Sequence, residues 1–171
     1  MKESDLLISH RDGVYFVKVC GRANFEYAVP LRELAMTLDH FKCVRMDMSE
    51  CLAMDSTFMG VLSMIGLKAK KTGAQVELAN ASDFLTKLLR DLGVVKLFDF
   101  VTGDNSVGTA EYNQAGRKSD LLTTAETVTE AHETLVRADE ANADKFDQVI
   151  EFTKQDVERL RKKKEEDRKG K

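Results

Sequence analysis

The pattern of the chain changes near residue 107, and this change limits the folds open to it. Up to about Asn105, segments with strand-like and helix-like spacing alternate, whereas residues 119–168 contain neither proline nor glycine. Between these parts, Gly, Thr, Asn and Gln dominate up to Lys118. A length of 171 residues suits one ordinary domain with an extension. We therefore predict an α/β domain over 1–105, a linker over 106–118 and a helical extension over 119–171.

Local signals order the elements of the first part as β-β-α-β-α-β-α-β. Asp12-Gly13 is typical of a hairpin turn, Gly73 of a helix C-terminus and Ser82 of a helix start. The single proline, Pro30, fits the first turn of a helix over 25–41. Because strands separated by helices need crossover connections, we predict a mixed sheet with helices mostly on one face. The predicted strands are 6–8, 14–20, 44–48, 75–79 and 96–101.

The extension has apolar residues at a spacing of three and four, which predicts one long helix capped by Ser119 or Asp120. Polar residues interrupt its apolar seam at His132, Asp139, Asn142, Thr153 and Asp156. A strong coiled coil does not accept so many polar seam residues. We expect the helix to dock weakly, on its own domain, on a partner or in a weak homodimer.

Charge and cysteine usage restrict the class of protein. The net charge of −3 provides no overall basic field for binding nucleic acid. No apolar run approaches the roughly 18–20 residues of a membrane span. The polar first residues do not fit a secretory signal. Three cysteines within apolar segments favour a reducing cytoplasm, and three scattered histidines favour no metal site. We therefore expect a cytoplasmic protein without a cofactor.

The basic end of the chain allows two interpretations. Residues 158–171 hold eight bases against four acids, including the run Arg161-Lys162-Lys163-Lys164. Cations at a helix C-terminus interact favourably with the helix dipole, so a solvated helix end explains them. The alternative is binding of nucleic acid or anionic lipid, which the absence of interleaved aromatic residues disfavours for nucleic acid.

Residues 47–60, where a strand gives way to a helix, hold the candidate site. Asp55, Ser56 and Thr57 are good helix-capping residues, and capping alone explains their presence. A catalytic serine needs a base, and the three histidines fall at a strand end, a helix end and in the distal helix. Cys51 has no lysine or histidine nearby in sequence to activate it. We predict that the protein is not an enzyme.

The element order and this segment resemble the STAS domain family, the sulfate-transporter and anti-sigma-factor-antagonist domains. The resemblance runs from about Leu6 to about Val101. It is carried by four stretches of the sequence: 21–24 (GRAN), 44–47 (VRMD), 54–60 (MDSTFMG) and 89–93 (LRDLG). The family motif is Asp-Ser-Ser/Thr-Gly-Leu/Ile-Gly. This chain keeps Asp55, Ser56, Thr57 and Gly60, but has Phe58 and Met59 at the two positions between.

The resemblance implies a function. Antagonists of this family bind an anti-sigma factor that is also a serine kinase, and phosphorylation of the serine after the aspartate ends that binding. It implies Ser56 as the phosphorylation site, with Thr57 as a minor candidate, and a phosphatase acting on phosphoserine. The implied partner-binding residues are Asn24, Asp55, Ser56, Thr57, Phe58, Met59 and Gly60.

One alternative stays open, a non-phosphorylated scaffold or adaptor module that binds proteins through its C-terminal helix. Ser56 favours the switch, whereas Phe58 and the long extension favour the adaptor. We expect the large ring of Phe58 to stand beside the site and to affect how closely a kinase approaches.

Overall fold

A computed structural model of the chain describes residues 3–103, 112–116 and 119–170. Its first strands, β1 (Asp5–Arg11) and β2 (Val14–Ala23), form an antiparallel hairpin. Asp12 and Gly13 connect them with positive φ angles of 52° and 81°, the backbone of a two-residue turn that matches strand twist. The hairpin predicted at this dipeptide is confirmed.

Four more strands complete one mixed sheet. β3 (Cys43–Met54), β4 (Gln75–Ala79) and β5 (Asp99–Val101) run parallel to β2, and β6 (Asn113–Gln114) pairs antiparallel with β1. The strand order is β5-β4-β3-β2-β1-β6. The predicted linker over 106–118 lies largely outside the described residues, and its described part contains the short edge strand β6.

Helices cover one face of this sheet, and the opposite face carries ion pairs. Along β2, Val17 and Val19 are buried, whereas Lys18 between them is half-buried and pairs with Glu50 of β3 at 2.8 Å. The predicted α/β class, with a mixed sheet and helices mostly on one face, is confirmed. The connecting helices are α1 (Phe25–Thr37), α2 (Ser56–Thr72) and α3 (Asp83–Asp91).

Two local predictions are wrong. Asn24 caps α1, because its Oδ1 accepts a hydrogen bond of 3.0 Å from the backbone N–H of Glu26. Pro30 is therefore the sixth residue of α1 and lies beyond its first turn. The strand predicted over 96–101 is shorter, since Val95–Leu97 form a 3-10 turn before β5 begins at Asp99.

The extension forms two helices packed as a hairpin, α4 (Leu121–Ala138) and α5 (Ala143–Lys169), instead of one continuous helix. The break lies at Asp139, whose backbone is extended at φ −151° and ψ 114°. Its Oδ1 accepts a hydrogen bond of 3.0 Å from the Ala141 N–H, which starts a 3-10 turn. A long C-terminal helix is present as predicted, in the form of α5.

The first of these helices is part of the core. Ala131 and Leu135 of α4 are fully buried in the same apolar cluster as Met46 of β3 and Leu62 of α2. The division into 1–105, 106–118 and 119–171 stays a prediction. Among the helices described, none has the length and apolarity to cross a membrane.

We predict that Asn142→Ala lowers the free energy of unfolding by about 1–3 kcal/mol, because the Leu92 carbonyl loses the Asn142 donor while the Leu135 carbonyl keeps only the Asp139 N–H. Asn142 is buried, and its Nδ2 donates to the carbonyl oxygens of Leu92 at 2.9 Å and Leu135 at 2.8 Å. Urea unfolding measures the loss, with exposed Asn113→Ala as the control. A loss below about 0.5 kcal/mol, the usual range for surface substitutions, contradicts this account of the turn.

Candidate functional site

The N-termini of α1 and α2 lie side by side at the edge of the sheet that the C-terminal ends of its parallel strands form. They follow β2 and β3, which are neighbouring parallel strands with Ala23 opposite Met54. The Asp55 N–H donates to the Ala23 carbonyl at 3.0 Å and ties the two strand ends together. The resulting edge presents Asn24 and Asp55 as the two helix caps.

Asp55 is held by the helix that it caps. Its Oδ1 accepts a hydrogen bond of 2.8 Å from the Phe58 N–H. Burial raises the pKa of this carboxyl above its ordinary value, although backbone N–H groups of Phe58, Phe25 and Thr57 and the imidazole of His132 act in the opposite direction. The carboxylate thus adds a partly desolvated negative charge beside Ser56.

Ser56 is the first residue of α2, and its hydroxyl contacts α4. The Oγ atom lies 2.8 Å from Nε2 of His132, a side chain that is only 3% exposed. Nδ1 of the same ring lies 2.7 Å from the Val128 carbonyl, which can only accept, so Nδ1 carries a proton. Burial lowers the pKa of His132, so the ring is neutral at pH 7 and Nε2 accepts the Ser56 proton.

Two further contacts fix α4 over this edge. Arg32 of α1 is 9% exposed and forms a two-pronged ion pair with Glu130, with both N···O distances at 2.8 Å. Gly60 of α2 faces the backbone of Ala131, where a Cβ on the glycine would lie 2.7 Å from the alanine Cβ and would also collide with its carbonyl oxygen. Three consecutive residues of α4 therefore contact α1 and α2.

The predicted site residues differ in exposure. Asn24, Asp55 and Ser56 are half-buried, whereas Thr57, Phe58, Met59 and Gly60 are buried. Phe58 has no exposed surface and lies in the core. The expectation that its ring stands beside the site is therefore wrong, because the third residue of α2 points toward the sheet.

The partners that α4 supplies have no signature in the sequence around Ser56. The three histidines lie outside residues 47–60, yet His132 contacts Ser56 across 76 residues of sequence. Arg32 and Glu130 are separated by 98 residues and have no local signature. The one available signal was His132, as one of the polar residues that interrupt the apolar seam of the extension.

Ser56, His132 and the Val128 carbonyl are arranged like a nucleophile, its base and the group that orients the base. Residues of α4, together with residues of α5 or α2, line three cavities of about 500, 600 and 610 Å³. Neither Ser56 nor His132 lines any of these three cavities. The hydroxyl proton is used in a contact between helices. Burial also raises the pKa of Cys51 to about 11, so this thiol is protonated at neutral pH.

Nothing in the described part of the chain groups three or more metal-ligating side chains of the His, Cys, Asp and Glu types. The residues around Ser56 offer one imidazole and one carboxylate, and both are already engaged in hydrogen bonds. The chemistry of this edge is therefore hydrogen bonding and charge at two helix N-termini.

The family model of the STAS domain matches residues 7–110, so the chain belongs to the STAS domain family. Its fold is similar to that of the unphosphorylated anti-sigma factor antagonist SpoIIAA, with 12% identity and a TM-score of 0.48 over 59% of this chain and 89% of that one. A sulfate transporter family protein from Wolinella succinogenes is similar at 21% identity and a TM-score of 0.48, over 53% and 78% of the two chains. No curated protein matches the sequence. Domains of this family typically have binding and regulatory roles.

We predict that the stability of the protein falls between pH 7.5 and pH 5.5 because of His132. Its folded-state pKa lies below the unfolded value of about 6.5, so its stabilising contribution is complete above that value and is lost as the pH falls toward the folded pKa. The slope from this group has a ceiling of about 1.4 kcal/mol per pH unit. Urea unfolding at the two pH values measures it.

The matched variants are His132→Gln and His40→Gln, since the His40 side chain is 94% exposed. The first should reduce the loss of stability on acidification and the second should leave it unchanged. Equal pH dependence in both variants contradicts the burial of a neutral imidazole against Ser56.

Proposed function

We propose that this protein is a phosphorylation-controlled protein-binding switch of the anti-sigma factor antagonist type. It acts in the cytoplasm, sequesters an anti-sigma factor that is also a serine kinase, and so regulates transcription. A phosphatase specific for phosphoserine reverses the modification. The observation that carries the proposal is the position of Ser56, the first residue of α2 directly after the capping Asp55, in a member of the STAS family.

The surroundings of Ser56 support a large effect of one phosphate. A phosphoserine adds about −1.5 to −2 charges and three acceptor oxygens at neutral pH. The N-terminus of α2 favours an anion, so the domain can stay folded. A partner fitted to the neutral hydroxyl would instead meet a double charge next to the Asp55 carboxylate. Thr57 is only 6% exposed, which makes it a poorer phosphoacceptor than half-buried Ser56.

The second candidate is a non-enzymatic scaffold or adaptor that works without phosphorylation. It is favoured by α4, which hydrogen-bonds the Ser56 hydroxyl and thereby limits access to it. In that case α5 supplies the binding surface, because Phe152 is 68% exposed and Val149 is 36% exposed on the same helix. A weak homodimer through α5 is one form of this candidate.

We predict that the protein isolated from its native cells contains a species heavier by one phosphate, and that Ser56→Ala removes it. Intact-mass measurement detects the species. Ser49→Ala, at an exposed serine of β3, is the matched control and should leave it unchanged.

Affinity capture with Ser56→Asp extends this experiment to the partner. A serine kinase of the anti-sigma type should be retained by the wild-type protein and lost with Ser56→Asp. A uniformly unmodified protein whose captured partners ignore Ser56→Asp contradicts the switch and favours the adaptor.

A further inference from the structure

We infer that α4 is an internal ligand of the partner-binding face, the surface formed by Arg32, Ser56 and Gly60. In the structure α4 occupies this face, and a partner binds only after α4 has detached. The inference rests on the proposed function in one respect, since it takes the surface around Ser56 to be the face that partners use. The partner that fits this face is a helix with an acidic residue, a small residue and a hydrogen-bond acceptor in succession.

This partner chemistry follows from what α4 itself presents. Glu130 satisfies the two-pronged donor of Arg32, Ala131 fits the flat surface of Gly60, and His132 accepts the Ser56 proton. Each element of the face selects one property of the incoming helix: a carboxylate, the absence of a bulky side chain, and an acceptor atom. The face is therefore specific for a short helical pattern, and α4 carries that pattern in cis.

The face that α4 covers coincides with the predicted partner-binding residues. Ser56 and Gly60 belong to both, and both contact α4 directly. The half-buried hydroxyl of Ser56 is the atom that a kinase must reach, and His132 holds it. Occupation by α4 and occupation by a partner are consequently mutually exclusive.

Most of the buried residues of α4 are polar. Four of its six buried residues are polar, and only Leu135 is a large apolar side chain; the buried residues are Thr127, Thr129, Ala131, His132, Thr134 and Leu135. The three threonine hydroxyls donate to backbone carbonyls of α4 itself, at 2.7–2.8 Å. Detachment therefore leaves these hydroxyls paired, and Ala131 and Leu135 are the buried apolar side chains of α4 that it exposes.

Phosphorylation of Ser56 acts against α4 docking. The phosphoester oxygen has no proton to donate, so the hydrogen bond to the neutral His132 ring is lost. The phosphate must also fit at a contact where Oγ and Nε2 are 2.8 Å apart. By linkage, a docked α4 opposes phosphorylation to the same degree that phosphorylation opposes docking.

Hydrogen exchange of the full-length unphosphorylated protein tests the inference. If α4 detaches as a unit, amides of residues 125–135 should exchange about tenfold or more faster than those of β3 and β4, which open only on global unfolding. Glu130→Gln should raise the α4 rates by about a further tenfold without changing the sheet, because the charge-assisted pair with Arg32 is lost. Glu133→Gln is the matched control, since its contact with Lys154 is a loose 3.9 Å pair at the surface.

A labelled synthetic peptide of residues 120–139 supplies the second measurement. The affinity of this peptide for Glu130→Gln should exceed its affinity for the wild type by the same factor as the rise in exchange, because both report the open fraction. Exchange of α4 in step with the sheet, or a faster exchange with no gain in peptide affinity, overturns the inference. Neither measurement involves phosphorylation, so absence of phosphate on Ser56 in cells would remove the proposed switch and leave this result intact.

Discussion

The backbones of α2 and α4 meet at Gly60, where the absence of a Cβ allows the carbonyl and Cβ of Ala131 to approach. This close approach brings His132 within 2.8 Å of the Ser56 hydroxyl and Glu130 within 2.8 Å of Arg32. A side chain at position 60 would force the two backbones apart, because its Cβ would overlap the carbonyl and Cβ of Ala131. The state of the site thus depends on one residue without a side chain.

The contact adds to the site two side chains that lie outside the residues matched by the STAS family model, Glu130 and His132. The edge formed by the N-termini of α1 and α2 is a general place for an anion or a hydrogen-bonding partner, because adjacent parallel strands end there. In the extension, α4 places the neutral imidazole of His132 against α2 and the carboxylate of Glu130 against α1. The same helix pair stabilises the fold and contacts the Ser56 hydroxyl. In the proposed switch, stability and regulation are therefore linked through a single interface.

Much of the fold was predictable because its signals are local. Asp12-Gly13 sets the hairpin and Gly73 ends α2 in the left-handed conformation, at φ 74°. The misplacement of Pro30 arose because the cap at Asn24 decides where α1 begins. The break at Asp139 and the Ser56–His132 contact could not be derived, since they depend on how α4 returns over α2. In retrospect, the polar seam residues His132 and Asp139 marked the contact and the break.

The most direct test of the account is the protonation state of the His132 ring, measured by two-bond ¹H–¹⁵N correlation on the full-length protein. At pH 7 we predict a neutral ring protonated only at Nδ1, with an Nε2 chemical shift that changes in Ser56→Ala. A ring that exchanges between tautomers and titrates near the ordinary value of about 6.5, unaffected by Ser56→Ala, would contradict it.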